Sequence, residues 1–184
     1  MPLKIISGEF KGKVIKGYDI EGTRPTMDRV KESLFSTIQF QIRDKQALDL
    51  FSGTGNLGLE ALSNGAKFCY FNDINIKCTN FIKKIVQELN IEDKSKVLNM
   101  HYKKALQYFI SNKISFDLIF LDPPYKMDNL NEIIREIRDN NLINDNGLII
   151  CEVDNLYLDI DFYEKIKEKK YGNKYIIIYK NKID

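Results

Sequence analysis

The chain has 184 residues, of which 43% are hydrophobic and 29% charged, and its formal net charge is +2. That size and balance are typical of one globular domain with its own core. The sequence contains no run of about 18 apolar residues that could span a membrane, and its first residues do not predict a signal peptide. We therefore expect a cytoplasmic protein. The three cysteines form no C-x-x-C pair and there is one histidine, so we expect reduced thiols and no metal site.

The N-terminal part predicts a small β-hairpin followed by a helix. Two extended candidates, Lys4–Ile6 and Lys13–Tyr18, flank a turn region at Gly8–Gly12. Thr26 is a candidate N-cap. The apolar stripe of the helix that would follow is formed by Val30, Leu34, Phe35 and Ile38.

From residue 46 onward, predicted strands alternate with predicted helices. The strand candidates are Ala47–Phe51, Phe68–Phe71, Lys96–Met100, Leu118–Leu121 and Leu148–Val153, and apolar residues at helical spacing lie between them. This alternation predicts an α/β fold with a parallel sheet covered on both faces.

The last part of the chain breaks this alternation. Tyr175–Tyr179 predicts a strand after a turn at Tyr171-Gly172-Asn173, and residues 162–170 fit a strand of a hairpin better than a helix. We therefore expect a mostly parallel seven-stranded sheet with an antiparallel edge strand at the C-terminus.

A glycine loop follows the first strand of the alternating part. Gly53, Gly55 and Gly58 have G-x-G-x-x-G spacing, which permits a tight turn and lets a ligand approach backbone N–H groups. Asp73 lies twenty residues after Gly53, at a position where an acid can accept hydrogen bonds from both hydroxyls of a ribose.

Both a dinucleotide and S-adenosylmethionine fit this pattern. Asp49 beside the loop favours S-adenosylmethionine, because a carboxylate repels a pyrophosphate and suits a cationic amino-acid tail. Asp49 could instead only cap backbone amides.

A second motif, Asp122-Pro123-Pro124-Tyr125, directly follows the apolar run 118–121. Two consecutive prolines make a stiff turn with free carbonyl groups. The carboxylate and a proline carbonyl could accept both hydrogens of an exocyclic amine while the tyrosine ring stacks on the flat group that carries it. The alternative is an ordinary strand-to-helix loop.

Together these motifs resemble class I S-adenosylmethionine-dependent methyltransferases, which have a Rossmann-like fold. The Asp-Pro-Pro-Tyr motif resembles those acting on exocyclic amines of bases. Nearly the whole chain is similar to the RsmD family, which methylates the N2 amine of one guanine in bacterial 16S ribosomal RNA. Further markers of this resemblance are residues 6–12, residues 23–35, Glu152 and Tyr171-Gly172.

The resemblance implies a role for each matching position. Asp49 would face the amino-acid part of the cofactor, Asp73 would hold its ribose and Ile74 would pack on its adenine. His101 stands where family members often have an acid or Asn near the adenine amine, so neighbouring Tyr102 or the backbone could serve there. The implied cofactor-binding set is Asp49, Phe51, Gly53, Gly55, Gly58, Asp73, Ile74, His101 and Tyr102. The implied catalytic set is Asp122, Pro123, Pro124 and Tyr125, where Asp122 and Pro123 would hold the guanine amine.

The resemblance also implies a domain plan and a partner. Residues 1–45 would be an N-terminal extension and residues 46–184 the cofactor-binding catalytic core of one domain. The partner would be 16S ribosomal RNA or a precursor of the small ribosomal subunit, with no membrane and a monomeric enzyme.

The charges of the N-terminal part predict where RNA could bind. Lys11, Lys13, Arg24 and Arg29 would line its approach if this segment folds over the carboxyl ends of the strands. The alternatives are a solvated surface for the lysines, and for Arg24 a brace against Asp49 or Asp122.

Other functions stay open from the sequence. A DNA adenine-N6 methyltransferase shares the Asp-Pro-Pro-Tyr chemistry, but it usually needs a target-recognition region for which 184 residues leave little room. A dehydrogenase shares the glycine loop. A non-catalytic RNA-binding assembly factor would gain nothing from Asp49, Asp73 and Asp122 in one cleft, since RNA is a polyanion.

Overall fold

A computed structural model describes residues 3–16, 28–124, 127–154, 158 and 160–181. It begins with a small antiparallel pair, β1 (Leu3–Lys4) and β2 (Val14–Ile15), and continues with helix α1 (Asp28–Ile38). Strand β1 is shorter than predicted because the N–H of Ile6 donates to the Glu60 side chain and not to a neighbouring strand. The predicted N-cap Thr26 lies outside the described residues.

The central sheet has seven strands, which confirms the predicted α/β class. The strands are β3 (Gln46–Asp49), β4 (Phe68–Asn72), β5 (Ser95–Leu98), β6 (Phe116–Leu121), β7 (Ile143–Val153), β8 (Glu164–Tyr171) and β9 (Lys174–Lys180). They lie in the order β5-β4-β3-β6-β7-β9-β8. Strands β3 to β7 pair in parallel, and β9 is antiparallel to both β7 and β8.

In the part of the chain that the structure describes, four further helices connect the strands. They are α2 (Asn56–Ser63), α3 (Ile76–Glu88), α4 (Tyr102–Ser111) and α5 (Leu130–Asp139). Two short 3₁₀ turns lie at Gln39–Gln41 and Glu92–Lys94.

The antiparallel C-terminal hairpin lies at one edge of the sheet, as the sequence predicted, with β9 one position inside the edge. Strand β8 takes the edge, and it is a strand and not a helix, as expected from the hairpin. The reason is composition: residues 176–179 are buried, whereas most of β8 is exposed and rich in Lys and Glu. Charged side chains are common on edge strands because they oppose pairing with another chain.

Each face of the sheet packs against its own set of helices. One hydrophobic cluster joins α1, α2, α3 and the N-terminal residues Leu3, Ile5 and Ile15 to one face. The second joins α4 and α5 to the other face. The rings of Phe35 on α1 and Phe120 on β6 have centroids 6.0 Å apart. The N-terminal segment therefore shares a core with the sheet.

A buried ion pair fixes this N-terminal segment to α2. The Lys31 ammonium, which has no solvent exposure, donates to Glu60 Oε1 at 2.9 Å, to Asn56 Oδ1 at 2.8 Å and to the Lys4 carbonyl at 2.5 Å. Glu60 Oε1 also accepts from the Ile6 N–H at 2.6 Å. Several hydrogen bonds to each buried charge offset part of the cost of removing it from water. Helix α1 and residues 3–7 are thereby held against the helix that starts at the glycine loop.

Candidate active site

The glycine loop between β3 and α2 makes a tight turn. Gly53 and Gly55 have φ angles of 50° and 79°, which L side chains rarely adopt, and the Gly55 N–H donates to the Ser52 carbonyl at 2.6 Å. Gly58 is needed for a different reason: a Cβ at this position would lie 2.3 Å from the Phe71 ring. The third glycine lets α2 lie directly against β4, so the spacing sets both the turn and the helix packing.

Asp49, the last residue of β3, is a buried carboxylate below this loop. It is 2% exposed, and its Oδ2 accepts a hydrogen bond from the Gly58 N–H at 3.0 Å. Burial raises the pKa of Asp49 to about 7, against the lowering effect of that hydrogen bond, and Asp73 adds a further raising effect. The amide-capping role considered from the sequence is therefore present. A cation beside Asp49 would also be stabilised there, because it would favour the ionised carboxylate.

Asp73 ties the end of β4 to the glycine loop. Its Oδ2 accepts from the Gly53 N–H and its Oδ1 from the Asn75 N–H, both at 2.8 Å. Each carboxylate oxygen can accept more than one hydrogen bond, so these contacts still permit ribose hydroxyls. The next residue, Ile74, is 68% exposed, and the Asn99 side chain donates to the carbonyls of Asp73 and Ile74. An apolar surface therefore lies beside Asp73.

Three ring side chains stand at the same edge of the sheet. The ring centroids of Phe51 and Tyr102 are 5.7 Å apart, and those of His101 and Tyr102 are 4.5 Å apart. Tyr102 is buried and its hydroxyl accepts from the Asn129 side chain at 2.5 Å. His101 is exposed, and its Nδ1 accepts from the Lys103 N–H at 3.4 Å as the N-cap of α4. His101 therefore has a local structural role.

Sequence reasoning missed Asn72, the last residue of β4. It is 1% exposed, and its Nδ2 donates to the carbonyls of Leu50 at 3.1 Å and Met100 at 3.2 Å. Its Oδ1 is buried without a hydrogen-bond partner among the residues that the structure describes. Asn72 joins the ends of three neighbouring strands. Its only sequence signal was its position next to Asp73.

On the other side of β3, three charged side chains from three strands meet. Asp122 directly follows β6, Glu152 lies near the end of β7 and Lys174 begins β9. The Lys174 ammonium donates to Glu152 Oε1 at 2.6 Å and lies 3.5 Å from Asp122 Oδ1. Strand pairing explains the meeting, because Leu121 is paired with Cys151, so the residues that follow them are neighbours.

The surroundings of Asp122 shift its titration. Burial raises the pKa of Asp122, as do the Glu152 and Asp49 carboxylates, while Lys174 lowers it, and the net value is about 7. Two carboxylates around one ammonium form a set of hydrogen-bond acceptors at the carboxyl ends of the strands. Sequence reasoning named Glu152 only as a marker and missed Lys174, whose position depends on the turn at 172–173.

The rest of the Asp-Pro-Pro-Tyr motif is described in part. Pro123 is partly exposed and Pro124 is exposed. Tyr125 lies outside the described residues, so its stacking role stays a prediction.

The structure describes three of the four predicted RNA-binding residues. Lys11, Lys13 and Arg29 are exposed, and Arg24 lies outside the described residues. The turn that carries Lys11 is anchored at the C-terminal end of α2, where the N–H groups of Glu9 and Phe10 donate to Ser63. An eight-residue helix is about 12 Å long, so this turn lies about that far from the glycine loop. The prediction for Lys11 and Lys13 requires this turn to fold over the carboxyl ends of the strands, and it does not.

The remaining findings concern the cysteines, candidate metal ligands and long apolar helices. All three cysteines are buried and free. Over the ranges of chain given above, no three His, Cys, Asp or Glu side chains group as metal ligands would, and no helix is long and apolar enough to cross a bilayer.

The strand order, the glycine loop after β3 and the antiparallel β9 define a class I methyltransferase fold. A family model described as "Conserved hypothetical protein 95" matches residues 3–180. The chain belongs to this family, which is the RsmD family that its motifs resemble.

Three relatives illustrate the match. "Ribosomal RNA small subunit methyltransferase D" of Haemophilus influenzae is 34% identical over 182 residues, covering 97% of this chain and 94% of the relative. "Putative rRNA methyltransferase YlbH" of Bacillus subtilis is 32% identical over 186 residues, covering 98% and 100%. The solved structure of "Putative methyltransferase yhhF" from Escherichia coli is 27% identical with a TM-score of 0.85, and the match covers 100% of both chains. The similarity therefore extends over the N-terminal segment as well as the sheet.

Proposed function

We propose that this protein transfers a methyl group from S-adenosylmethionine to the exocyclic N2 amine of a guanine in 16S ribosomal RNA. One observation carries the proposal: Asp122, the candidate amine acceptor, follows a strand paired directly with β3, and β3 ends at Asp49 and the glycine loop. An amine held by Asp122 would therefore lie next to a cofactor on the loop. The names of the relatives support ribosomal RNA as the substrate.

The residues of the loop fit this cofactor. A buried carboxylate with a raised pKa suits the cationic amino-acid end of S-adenosylmethionine and not a pyrophosphate, which disfavours the dehydrogenase alternative. Asp73 would accept hydrogen bonds from the ribose hydroxyls, and exposed Ile74 would pack against the adenine. When bound, the cofactor supplies a methyl group already activated on a sulfonium.

The catalytic contribution of the chain would be positioning and proton transfer. Asp122 and the Pro123 carbonyl would accept the two N–H bonds of the amine and so point the nitrogen lone pair toward the methyl group. As the nitrogen–carbon bond forms, the amine proton becomes acidic. Asp122, whose pKa is about 7, could receive this proton at neutral pH, or it could leave to water.

The substrate would approach from the strands beyond β6. Asp73 lies on the β4 side of β3, whereas Asp122, Glu152 and Lys174 lie on the β6–β9 side. The guanine would leave its stack to enter this side, and Tyr125 would replace the lost stacking. Exposed Lys169 and Lys170, at the carboxyl end of β8, are closer to this side than the turn at 8–12, because Lys170 is paired with Tyr175 next to Lys174. A ribosomal substrate would place the enzyme in the cytoplasm.

The test is nucleoside mass spectrometry of ribosomal RNA from a strain that lacks the gene. Adding the purified protein and S-adenosylmethionine to small subunits of that strain should restore one N2-methylguanine, and Asp122→Ala should not restore it. Loss and restoration of N6-methyladenine in DNA, with ribosomal RNA unchanged, would instead establish the DNA methyltransferase. Binding of the protein to RNA without any methylated product would establish the assembly factor.

A further inference from the structure

The carboxylate of Glu152 lies at the substrate side but outside the proposed cofactor contacts and amine grip. Glu152 is 8% exposed, and along β7 it shares the face of Ile150. On β9, Lys174 shares the face of Ile176 in the same way. Both apolar residues belong to the cluster that packs under α1 and α2. Because side chains alternate along a strand, Glu152 and Lys174 are on the same face of the sheet.

A pair of neighbouring carboxylates matches one base edge and not another. The Watson–Crick edge of guanine presents the N1–H and the N2 amine as adjacent donors. Adenine carries its amine beside N1, which has a lone pair and no hydrogen. A carboxylate beside the amine-holding acid would therefore accept from guanine N1–H, whereas it would repel the N1 lone pair of adenine.

The hydrogen bond to Lys174 does not prevent this contact. An ionised carboxylate has two oxygens with about four acceptor positions. The hydrogen bond from the Lys174 ammonium at 2.6 Å fixes the position of the Glu152 side chain. The same ammonium, 3.5 Å from Asp122, keeps the two acids together despite their mutual repulsion.

We propose that Glu152 is a specificity-determining residue that accepts the N1–H of the target guanine beside the amine held by Asp122, with Lys174 as its positioning residue. This inference rests on the proposed function, since it assumes a guanine as the substrate. It also explains how a motif shared with adenine methyltransferases can select guanine.

The test replaces the target guanine, once mapped, by 2-aminopurine in 16S ribosomal RNA ligated from synthetic segments. This base keeps the 2-amine but has no N1 hydrogen, so the amine can still reach Asp122. A site built to accept a hydrogen bond rejects an analogue that lacks the donor strongly, and we expect kcat/KM of the wild type to fall by at least about 10²-fold. Glu152→Ala should react more slowly with guanine RNA than the wild type does. In this variant, replacing guanine by 2-aminopurine should lower kcat/KM by less than about threefold.

Glu152→Gln is the second variant, in case the alanine variant does not fold. Its amide can present either its oxygen to guanine or its N–H to the N1 of 2-aminopurine, so the preference should shrink to about tenfold or less. Unchanged affinity for S-adenosylmethionine, measured by calorimetry, shows that a variant is folded. If the Gln variant keeps the wild-type ratio between the two bases, Glu152 is only structural and the inference is wrong.

Failure of the proposed function would look different. In that case the wild type would produce no N2-methylguanine on unmodified RNA, before any base is replaced.

Lys174 is tested by the pH dependence of kcat. Among the residues that the structure describes, the charged groups that act on the pKa of Asp122 are Glu152 on β7, Asp49 on β3 and Lys174 on β9. Lys174 lowers the pKa of Asp122, so Lys174→Met should move the acid limb of kcat to higher pH, and Lys174→Arg should restore it. Glu152→Gln should move the same limb to lower pH, because it removes a carboxylate that raises this pKa. If the acid limb of kcat is unchanged in Lys174→Met and in Glu152→Gln, the positioning role of Lys174 is contradicted.

Discussion

The two sides of the catalytic edge hold their carboxylates in different ways. On the cofactor side, Asp49 and Asp73 accept hydrogen bonds from the backbone N–H groups of Gly58, Gly53 and Asn75. On the substrate side, a side-chain donor, the Lys174 ammonium, contacts both Asp122 and Glu152. A backbone donor is present whatever residue stands there, proline excepted, whereas a side-chain donor is lost by one substitution. The cofactor side is therefore fixed by the loop, and the substrate side can change with its sequence.

The largest expected effect separates the two sides directly. Asp122→Ala removes the acceptor of the amine and should reduce methyl transfer by about 10²–10³-fold, as for other losses of a preorganised polar contact. The affinity for S-adenosylmethionine should stay within about twofold. The measurements are single-turnover kinetics on ribosomal RNA and calorimetry. Asp122→Asn, which keeps one acceptor oxygen, is the matched control and should lose less. A fully active alanine variant would remove Asp122 from the amine grip.

Asp73→Ala should have the opposite profile. A charge-assisted hydrogen bond contributes about 1.5–3 kcal/mol, so the affinity for S-adenosylmethionine should fall about ten- to a hundredfold. Part of this loss would come from the loop, because Gly53 would lose its partner. Calorimetry with S-adenosylmethionine and with free methionine separates the two causes. A ribose contact affects only the first ligand, whereas a distorted loop affects both.

A smaller effect is the pH dependence of cofactor binding. Because the pKa of Asp49 is about 7 in the free protein, its ionised fraction rises between pH 6 and 8, and the affinity for the cationic cofactor should rise by up to about tenfold. Asp49→Asn should bind more weakly and lose this dependence.

The raised pKa also means that the contribution of Asp49 to stability falls as pH rises from 3.8 through about 7. Thermal unfolding at pH 8 should therefore show Asp49→Asn to be at least as stable as the wild type.

The smallest effect concerns RNA affinity. Replacing Lys169 and Lys170 by Gln should flatten the dependence of log Kd on log salt by about one unit per lost phosphate contact. Replacing Lys11 and Lys13 is the matched pair, and it should change the slope less because their turn lies at the far end of α2. Cofactor affinity should be unchanged in both. If RNA-binding titrations show a larger change in this slope for the Lys11 and Lys13 variant, the N-terminal turn is the RNA-binding surface.

This comparison also explains which parts could be predicted from the sequence. The loop, Asp49 and Asp73 lie within 25 consecutive residues, so their spacing alone predicts that they meet. Lys174 reaches Asp122 only because β9 inserts between β7 and β8, which depends on pairing across the whole sheet. The turn at 8–12 was misplaced for a related reason. Glu9 and Phe10 of this turn donate to Ser63, about 53 residues further along, and local pattern carries no information about such distant contacts.

These distant contacts have a consequence for how the chain folds as it is synthesised. The first hairpin has two residues in each strand, and a two-stranded sheet of that size is not stable alone. Its hydrogen-bond partners on α2 are made about 53 residues later, which at 5–20 residues per second is roughly 3–10 s. During that time Leu3, Ile5 and Ile15 have no sheet to cover, and the Lys31 ammonium stays in water. The segment synthesised first therefore cannot reach its contacts on α2 until residue 63 has been made.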